Sequence, residues 1–270
     1  MKTVLIQIIE DNIFANYKGV ARLLEGQFIE DDEVAWYNTG RRSYFRFNGV
    51  VRTVTRTEDL SRVVDPILDV FLSQNIPFFW ADWQDAGTPG LGDYLNSKGI
   101  NFIYLTGVPV MSRELDELPE QALPKDVEIV QVQTQQQQAD WLNVMMEGFQ
   151  EPEPARPDVQ KYVSNSLTEP TQVFEHFLAY WQGQPCAIST LLRAGLGAGI
   201  YNVTTLPAYR GRGLGRTLTL TAMWAAREFG YKTAILFATP SGLPIYQGLG
   251  FETVSAADLF IWNGAEQAAK

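Results

Sequence analysis

Between residues 201 and 230 the chain reads YNVTTLPAYRGRGLGRTLTLTAMWAAREFG, with Gly211, Gly213 and Gly215 set among Arg210, Arg212 and Arg216. These residue types at one joint suit the capture of an anion. The first turn of a helix leaves backbone N–H groups unpaired and concentrates the positive end of the helix dipole. Glycines let the backbone approach a phosphate with no Cβ in the way, and guanidinium groups add charge-assisted hydrogen bonds to the same oxygens. The residues before the glycines read as a strand. Those after them read as a helix whose Leu214, Leu218, Ala222, Ala225 and Phe229 form one buried stripe, which keeps its N-terminus aimed at the ligand.

Glycine-rich phosphate motifs differ in spacing, and the spacing here decides between them. A P-loop needs Gly-x-x-x-x-Gly-Lys-Ser/Thr, but Arg210 stands at its first glycine and Arg216 at its lysine. A dinucleotide fingerprint needs Gly-x-Gly-x-x-Gly, and 211–216 reads GRGLGR, with Arg216 in the last glycine's place. The pattern that fits is Arg/Gln-x-x-Gly-x-Gly/Ala, met by Arg210, Gly213 and Gly215 after a strand and Pro207 and before a helix. With these residues the C-terminal half resembles the GNAT superfamily of acetyl-CoA-dependent N-acyltransferases.

The resemblance implies a site. Arg210, Gly211, Arg212, Gly213, Leu214, Gly215, Arg216 and Thr217 would wrap the pyrophosphate of coenzyme A, with acetyl-CoA as co-substrate and no metal. A second motif, SGLPIYQGLGF at 241–251, resembles the family segment in which a tyrosine lies one short helix before a Leu-Gly-Phe turn. Tyr246 takes that place, and in the family such a tyrosine protonates the departing thiolate, which is general acid catalysis. A third element is the strand ending at Thr205. In the family it splays from its neighbour, so that Val203, Thr204 and Thr205 would offer main-chain bonds to pantetheine, a form of strand addition. Such a site acts by positioning an amine and stabilising charge on the tetrahedral intermediate of direct attack. Glu147, Glu175, His176 and Tyr201 are all conceivable bases, and none is singled out. Cys186 reads as a core residue, since direct transfer needs no cysteine nucleophile.

These residues need a scaffold, and its clearest seam is DELPEQALPKD at 116–126, rich in proline and charge. The expected division is a domain over 1–118, a linker over 119–126 and an acetyltransferase domain over 127–270. In the second part VEIVQV (127–132) alternates like a strand, and Thr134 with Gln137 makes a capping pattern ahead of Trp141, Leu142, Met145 and Phe149 at helical spacing. Asp158 is expected to cap a short helix running to Leu167. A hairpin follows over 171–194, then a strand (198–206), a helix (214–229), a strand (233–238), a short helix (242–250) and a last strand (259–263). Strands flanking a packed helix imply a right-handed crossover with a parallel pair.

The first part reads as strands near 1–9, 44–47, 50–55 and 76–82 with helices over 60–71 and 91–100. Its FFWADW…GLGDYLNSKGI echoes ILFATPSGLPIYQGLGF, with Gly99 matching Gly250 and Leu95 falling where Tyr246 falls. No Arg/Gln-x-x-Gly-x-Gly/Ala occurs in residues 1–120. It therefore resembles a degenerate GNAT-like half joined to an active one, as in tandem GNAT proteins. The fold expected is α/β of the α+β mixed-sheet kind: two GNAT-like domains, each a mostly antiparallel mixed sheet flanked by helices. Covering the open edge of the catalytic sheet would be the first half's task, with Phe78, Phe79, Trp80 and Trp83 as core or interface aromatics.

The 270 residues, 46% hydrophobic, suffice for two domains. A net charge of −10 disfavours nucleic-acid and anionic-membrane surfaces, so an anionic ligand needs a local cationic pocket. One cysteine and one histidine exclude an intramolecular disulfide and the usual metal clusters. With neither a signal peptide nor an apolar run of about 20 residues, a cytoplasmic protein is expected. The leading function is N-acetyl transfer from acetyl-CoA to a primary amine, small molecule or peptide. The alternative is a non-catalytic acyl-CoA-binding sensor or scaffold, and a nucleotide-dependent enzyme is weakened by the missing P-loop lysine. The acceptor and the oligomeric state are not legible.

Overall fold

A helix, not a strand, opens the chain: α1 spans Lys2–Leu23 in the computed structural model, which describes residues 2–85 and 87–265. The apolar start was expected to be a strand because VLIQII suits either period. The deciding residues come later, where Ile9, Ile13, Phe14, Ala21 and Leu24 are buried at spacings of one face of a helix.

The elements continue as β1 (Gln27–Glu30), β2 (Val34–Asn38), β3 (Asn48–Thr53), α2 (Leu60–Ser73), β4 (Phe78–Trp83), α3 (Leu91–Ser97) and β5 (Ile103–Glu114). After the seam come β6 (Val127–Gln131), α4 (Gln135–Gly148), α5 (Arg156–Thr168), β7 (Phe174–Trp181), β8 (Gln184–Leu192) and β9 (Ala198–Thr205). The chain closes with α6 (Leu214–Glu228), β10 (Thr233–Phe237), α7 (Leu243–Gly248) and β11 (Glu252–Trp262). Phe45–Phe47, expected in a strand, forms a 3-10 turn. α5 starts at Arg156, ahead of Asp158, because Pro157 suits a first turn that needs no N–H from it, so Asp158 lies inside that turn and is not the cap.

The two compact units are not the linear halves that the seam suggested. One comprises Met1–Asn16 with Val110–Val254, the other Tyr17–Pro109 with Ser255–Lys270. The difference lies in two strands. β5, from the first half of the chain, pairs antiparallel with β10, from Thr233↔Glu114 to Phe237↔Val110. β11, from the end of the chain, pairs antiparallel with β4, from Ala257↔Trp83 to Trp262↔Phe78.

In the unit of 110–254, the sheet runs from the end of β5 through β10, β9, β8 and β7 to β6. Only β9 and β10 are parallel, as the crossover through α6 requires. One face packs on α6, where Leu214, Leu218, Ala222, Met223 and Ala226 join Cys186, Ile200 and Leu236 in one core. Burying each leucine side chain there contributes about 1.5–3 kcal/mol. Phe229 departs from the expected stripe: it caps α6, half exposed, beneath the guanidinium of Arg193 3.9 Å from its ring centre. The opposite face meets α4 and α5. α4 begins with the capping box foreseen, Thr134 accepting from Gln137 N–H and Gln137 Oε1 accepting from Thr134 N–H, a pairing that contributes about 1 kcal/mol.

In the unit of 17–109, the sheet runs β1, β2, β3, β4, β11. Phe71, Phe78, Trp80, Leu91 and Leu95 fill its core, and Trp80 donates to Thr53 Oγ1 at 3.0 Å. β3 and β4 are parallel and joined by α2, and α3 follows β4, so this unit repeats the order β9–α6–β10–α7. The matched Gly99 and Gly250 both take left-handed backbone, φ +68° and +81°. The turn into α2 lacks the glycines of its counterpart and carries Glu58 and Asp59, which engage Arg56 and Arg62 in ion pairs.

Candidate acyl-CoA site

β9 carries the first part of the site. Its parallel ladder with β10 is confined to Ala198↔Ala234 and Gly199↔Ile235. From there to Thr205 it stays on β8 alone, so Val203, Thr204 and Thr205 lie where β9 has parted from β10. Halfway along, the register shifts: Tyr201 faces Thr190 while Thr204 faces Ile188, leaving Asn202 and Val203 opposite the single residue Ser189. This is a β-bulge, and Asn202 takes φ +53° within it. Asparagine tolerates that conformation better than most side chains.

Two neighbours fix β9 in place. Gly148, the last residue of α4, lies so close that a Cβ on it would stand 2.6 Å from Thr204 Oγ1. Asn12 of α1 donates to the carbonyls of Gly197 at 2.9 Å and Ala194 at 3.3 Å, and accepts from the Tyr201 hydroxyl at 2.7 Å. Neither contact was foreseen. The signal available for the bulge was an asparagine inside the otherwise strand-forming IYNVTT.

The glycine turn follows directly. Pro207–Tyr209 form a 3-10 turn, Gly211 and Gly213 take φ +77° and +78°, and Gly213 is the N-cap of α6. Nothing stands within 4 Å of where a Cβ would project from either glycine, so the backbone is open on that side. Arg210, Arg212 and Arg216 are all exposed. Arg210 donates its Nε–H to the Thr205 carbonyl at 3.1 Å, and Arg212 stacks 4.6 Å over Trp181 and 5.6 Å over Tyr209. Leu214 is buried under the turn, Gly215 faces Thr205 and Ile245, and Thr217 turns its hydroxyl back to the Gly213 carbonyl at 3.0 Å. The residues that the motif singled out thus share one end of the unit with the parted strand.

Tyr246 lies on α7, 7% exposed, edge-on to Phe251 with ring centres 6.1 Å apart. Burial pushes its phenol up to about 12. At neutral pH it is therefore a proton donor, never a phenolate.

The four candidate bases separate clearly. His176 is fully buried, and burial pulls its imidazole down to about 3. Both its nitrogens are engaged, with Ser166 Oγ at 2.7 Å and Thr190 Oγ1 at 2.9 Å. Glu175 is buried against Arg193, 2.9 Å away. The Tyr201 hydroxyl donates a hydrogen bond to Asn12 Oδ1. Glu147 alone among them is exposed, one residue before Gly148. Cys186 is core, its thiol bonded to the Ala179 carbonyl and pushed up to about 11 by burial. Among the described residues no three His, Cys, Asp or Glu side chains converge to hold a metal, and no helix is long and apolar enough to cross a membrane.

Residues 173–253, from β7 through the glycine turn and Tyr246 into β11, match the acetyltransferase (GNAT) domain family. Over those residues the chain is similar to a GNAT domain. Over 55 residues it is 44% identical to the uncharacterized N-acetyltransferase YjgM of Escherichia coli (strain K12), an alignment that spans 19% of this chain and 33% of that relative. Its fold is similar to that of a GCN5-related N-acetyltransferase from Kribbella flavida, with TM-score 0.70 and 18% identity over 96% of this chain and 97% of the other. It is also similar to a tandem GNAT protein from the clavulanic acid biosynthesis pathway, with TM-score 0.58 and 13% identity over 86% of this chain and 79% of that one. These likenesses establish the GNAT fold.

Proposed function

We propose that the chain is an N-acetyltransferase that passes an acetyl group from acetyl-CoA to a primary amine by direct attack. The observation that carries this reading is the coincidence, at one end of one unit, of a strand parted from its parallel neighbour and an open glycine turn capping α6. The residues fit the co-substrate. Gly211 and Gly213 leave room for a pyrophosphate against backbone N–H groups, and the three exposed arginines supply the charge that a chain of net −10 otherwise lacks.

Val203, Thr204 and Thr205 would pair with pantetheine as an added strand. Bound acetyl-CoA supplies an activated thioester. The chain's own part is to hold that thioester beside the bulge and to donate a hydrogen bond from the Tyr246 hydroxyl to the departing sulfur. With its phenol near 12, Tyr246 is a much weaker acid than a thiol of about 8.5, so hydrogen-bond donation outweighs full proton transfer. We assign the acceptor only as a primary amine, small or peptidic, and the setting as the cytoplasm. That setting is in keeping with a chain that offers no pair of cysteines for a disulfide.

The test is calorimetry of acetyl-CoA, CoA, ATP and NAD on the full chain, followed by an amine panel. Binding of the first two alone, then acetylation of an amine, is the expected result. Silence for both would reject the site. Binding without turnover of any amine would favour the acyl-CoA-binding sensor.

A further inference from the structure

His176 is the chain's one histidine, fully buried, and no step of the proposed reaction uses it. Its partners nevertheless lead toward the site. Ser166 on α5 donates its hydroxyl to the Val163 carbonyl at 2.8 Å, so toward His176 its oxygen must accept, and the imidazole carries its proton on Nε2. Nδ1 is then an acceptor, and the Thr190 hydroxyl donates a hydrogen bond to it at 2.9 Å. Thr190 Oγ1 in turn accepts from Asn202 Nδ2 at 3.2 Å. The Asn202 side chain also meets the buried hydroxyl of Tyr162.

One directional chain of hydrogen bonds thus runs from Asn202 through Thr190, His176 and Ser166 to the backbone of α5. It crosses β9, β8 and β7, and Ser166, His176 and Thr190 are each at 0% exposure. Its β9 end is the residue that holds left-handed backbone in the bulge, immediately before Val203. In the bulged register Asn202 follows Tyr201, the residue that faces Thr190, and its amide reaches Thr190 Oγ1. Trp141 and Tyr162 close over the imidazole at 4.7 and 5.8 Å between ring centres, which leaves the ring no room to turn.

We infer that the Ser166–His176–Thr190–Asn202 relay fixes the β9 bulge and makes Asn202 a positioning residue for the backbone of Val203–Thr205. Its bearing on catalysis rests on the acetyltransferase reading, whereas its hold on the bulge does not. A well-satisfied buried polar chain has essentially one arrangement, because each unmade bond inside it costs a full desolvation penalty. That rigidity is transmitted to the peptide groups beside which the thioester would lie.

The experiment uses untagged full-length protein, in which His176 gives the only imidazole signals. The variants are Thr190→Val, which keeps the shape and removes both bonds, Thr190→Ser, which restores the hydroxyl, and Ser166→Ala, which cuts the relay two links from β9. Imidazole ¹⁵N shifts report the relay, and amide exchange at Asn202, Val203 and Thr204 reports the bulge. In the parent, the shifts should mark a neutral Nε2–H ring that does not titrate between pH 5 and 8. Thr190→Val and Ser166→Ala should speed exchange at the three amides at least tenfold relative to β7 amides, with Thr190→Ser close to the parent. Unchanged exchange in both overturns the inference whatever acetyl-CoA does. With an amine substrate in hand, Thr190→Val should lower kcat tenfold or more with acetyl-CoA affinity within threefold, and Thr190→Ser should recover most of it. A kcat within twofold of the parent, alongside a broken relay, removes Asn202 from the positioning role. If the parent binds no acetyl-CoA, the enzyme reading fails, while the exchange result still decides whether the relay holds the bulge.

Discussion

Arg210 donates its Nε–H to the carbonyl of Thr205, so the arginine that opens the glycine run is braced on the last residue of β9. This bond joins the two halves of the proposed site, the turn for phosphate and the strand for pantetheine, across five residues of chain. Arg210→Met removes both the brace and a charge, and should raise the acetyl-CoA dissociation constant about tenfold, near 1.4 kcal/mol. Arg210→Lys keeps the charge and should recover only part of the loss. Calorimetry separates the cases, and full recovery by lysine would mean that the brace is idle.

Gly213 combines left-handed backbone with open space at the N-cap of α6. Gly213→Ala should cost about 1 kcal/mol of stability from conformation alone. Gly213→Glu adds a negative charge against the pyrophosphate and should weaken acetyl-CoA binding 100-fold or more. Equal affinities for the two variants would refute phosphate binding here.

Tyr246→Phe should preserve the packing against Phe251 and remove the hydroxyl. We expect kcat to fall by about 100-fold, at the low end for a lost acid or donor, with acetyl-CoA affinity within twofold. An unchanged rate takes Tyr246 out of the chemistry.

His176 predicts how the unit of 110–254 responds to acid. Its imidazole sits near 3 in the fold against 6.5 unfolded, because burial disfavours the cation. The depressed value means that stability is fully present above 6.5 and is lost as pH falls from there toward 3. At pH 5 the loss is about 2 kcal/mol. Tm should therefore drop between pH 7 and 5, and a flat profile across that window contradicts a neutral buried ring.

Asp82 predicts the opposite slope in the unit of 17–109. It faces Asp258 across the β4–β11 ladder, and burial, then the neighbouring carboxylate, raises its carboxyl to about 6 against 3.8 unfolded. A raised carboxylate value means that stability is present below 3.8 and lost as pH rises through 6. Asp82→Asn should thus stabilise this unit at pH 7 and have little effect at pH 4, read from amide exchange on β4. A variant that destabilises equally at both pH values would show that Asp82 is needed as an anion.

Much of the second half was legible because each apolar period there is bounded by its own stop signal. Thr134 with Gln137 announces α4, Gln182–Gly183 the hairpin, and Pro207 with the glycines the start of α6. α1 was misread because its first nine residues fit either period and only Ile13, Phe14 and Leu24 break the tie. β5 escaped because its first half is exposed and carries no alternation. The motif located the turn, the parted strand and Tyr246. Register decides the rest: that two residues of β9 oppose one of β8, or that His176 meets Ser166, depends on neighbours distant in sequence. Partner choice for β5 and β11 is likewise invisible locally, since an apolar strand reads the same whichever ladder it joins.

Those two ladders also set a timetable for synthesis. The sheet built on β4 lacks one neighbour until Ala257–Trp262 have been made, long after β4 itself. The unit with the glycine turn, in contrast, needs Met1–Asn16 and the end of β5, both of which are made long before that turn. Translation therefore delivers the final strand of the first-made unit after the second unit, and a released chain lacking residues 255–270 should hold acetyl-CoA while its β4 edge still stands open.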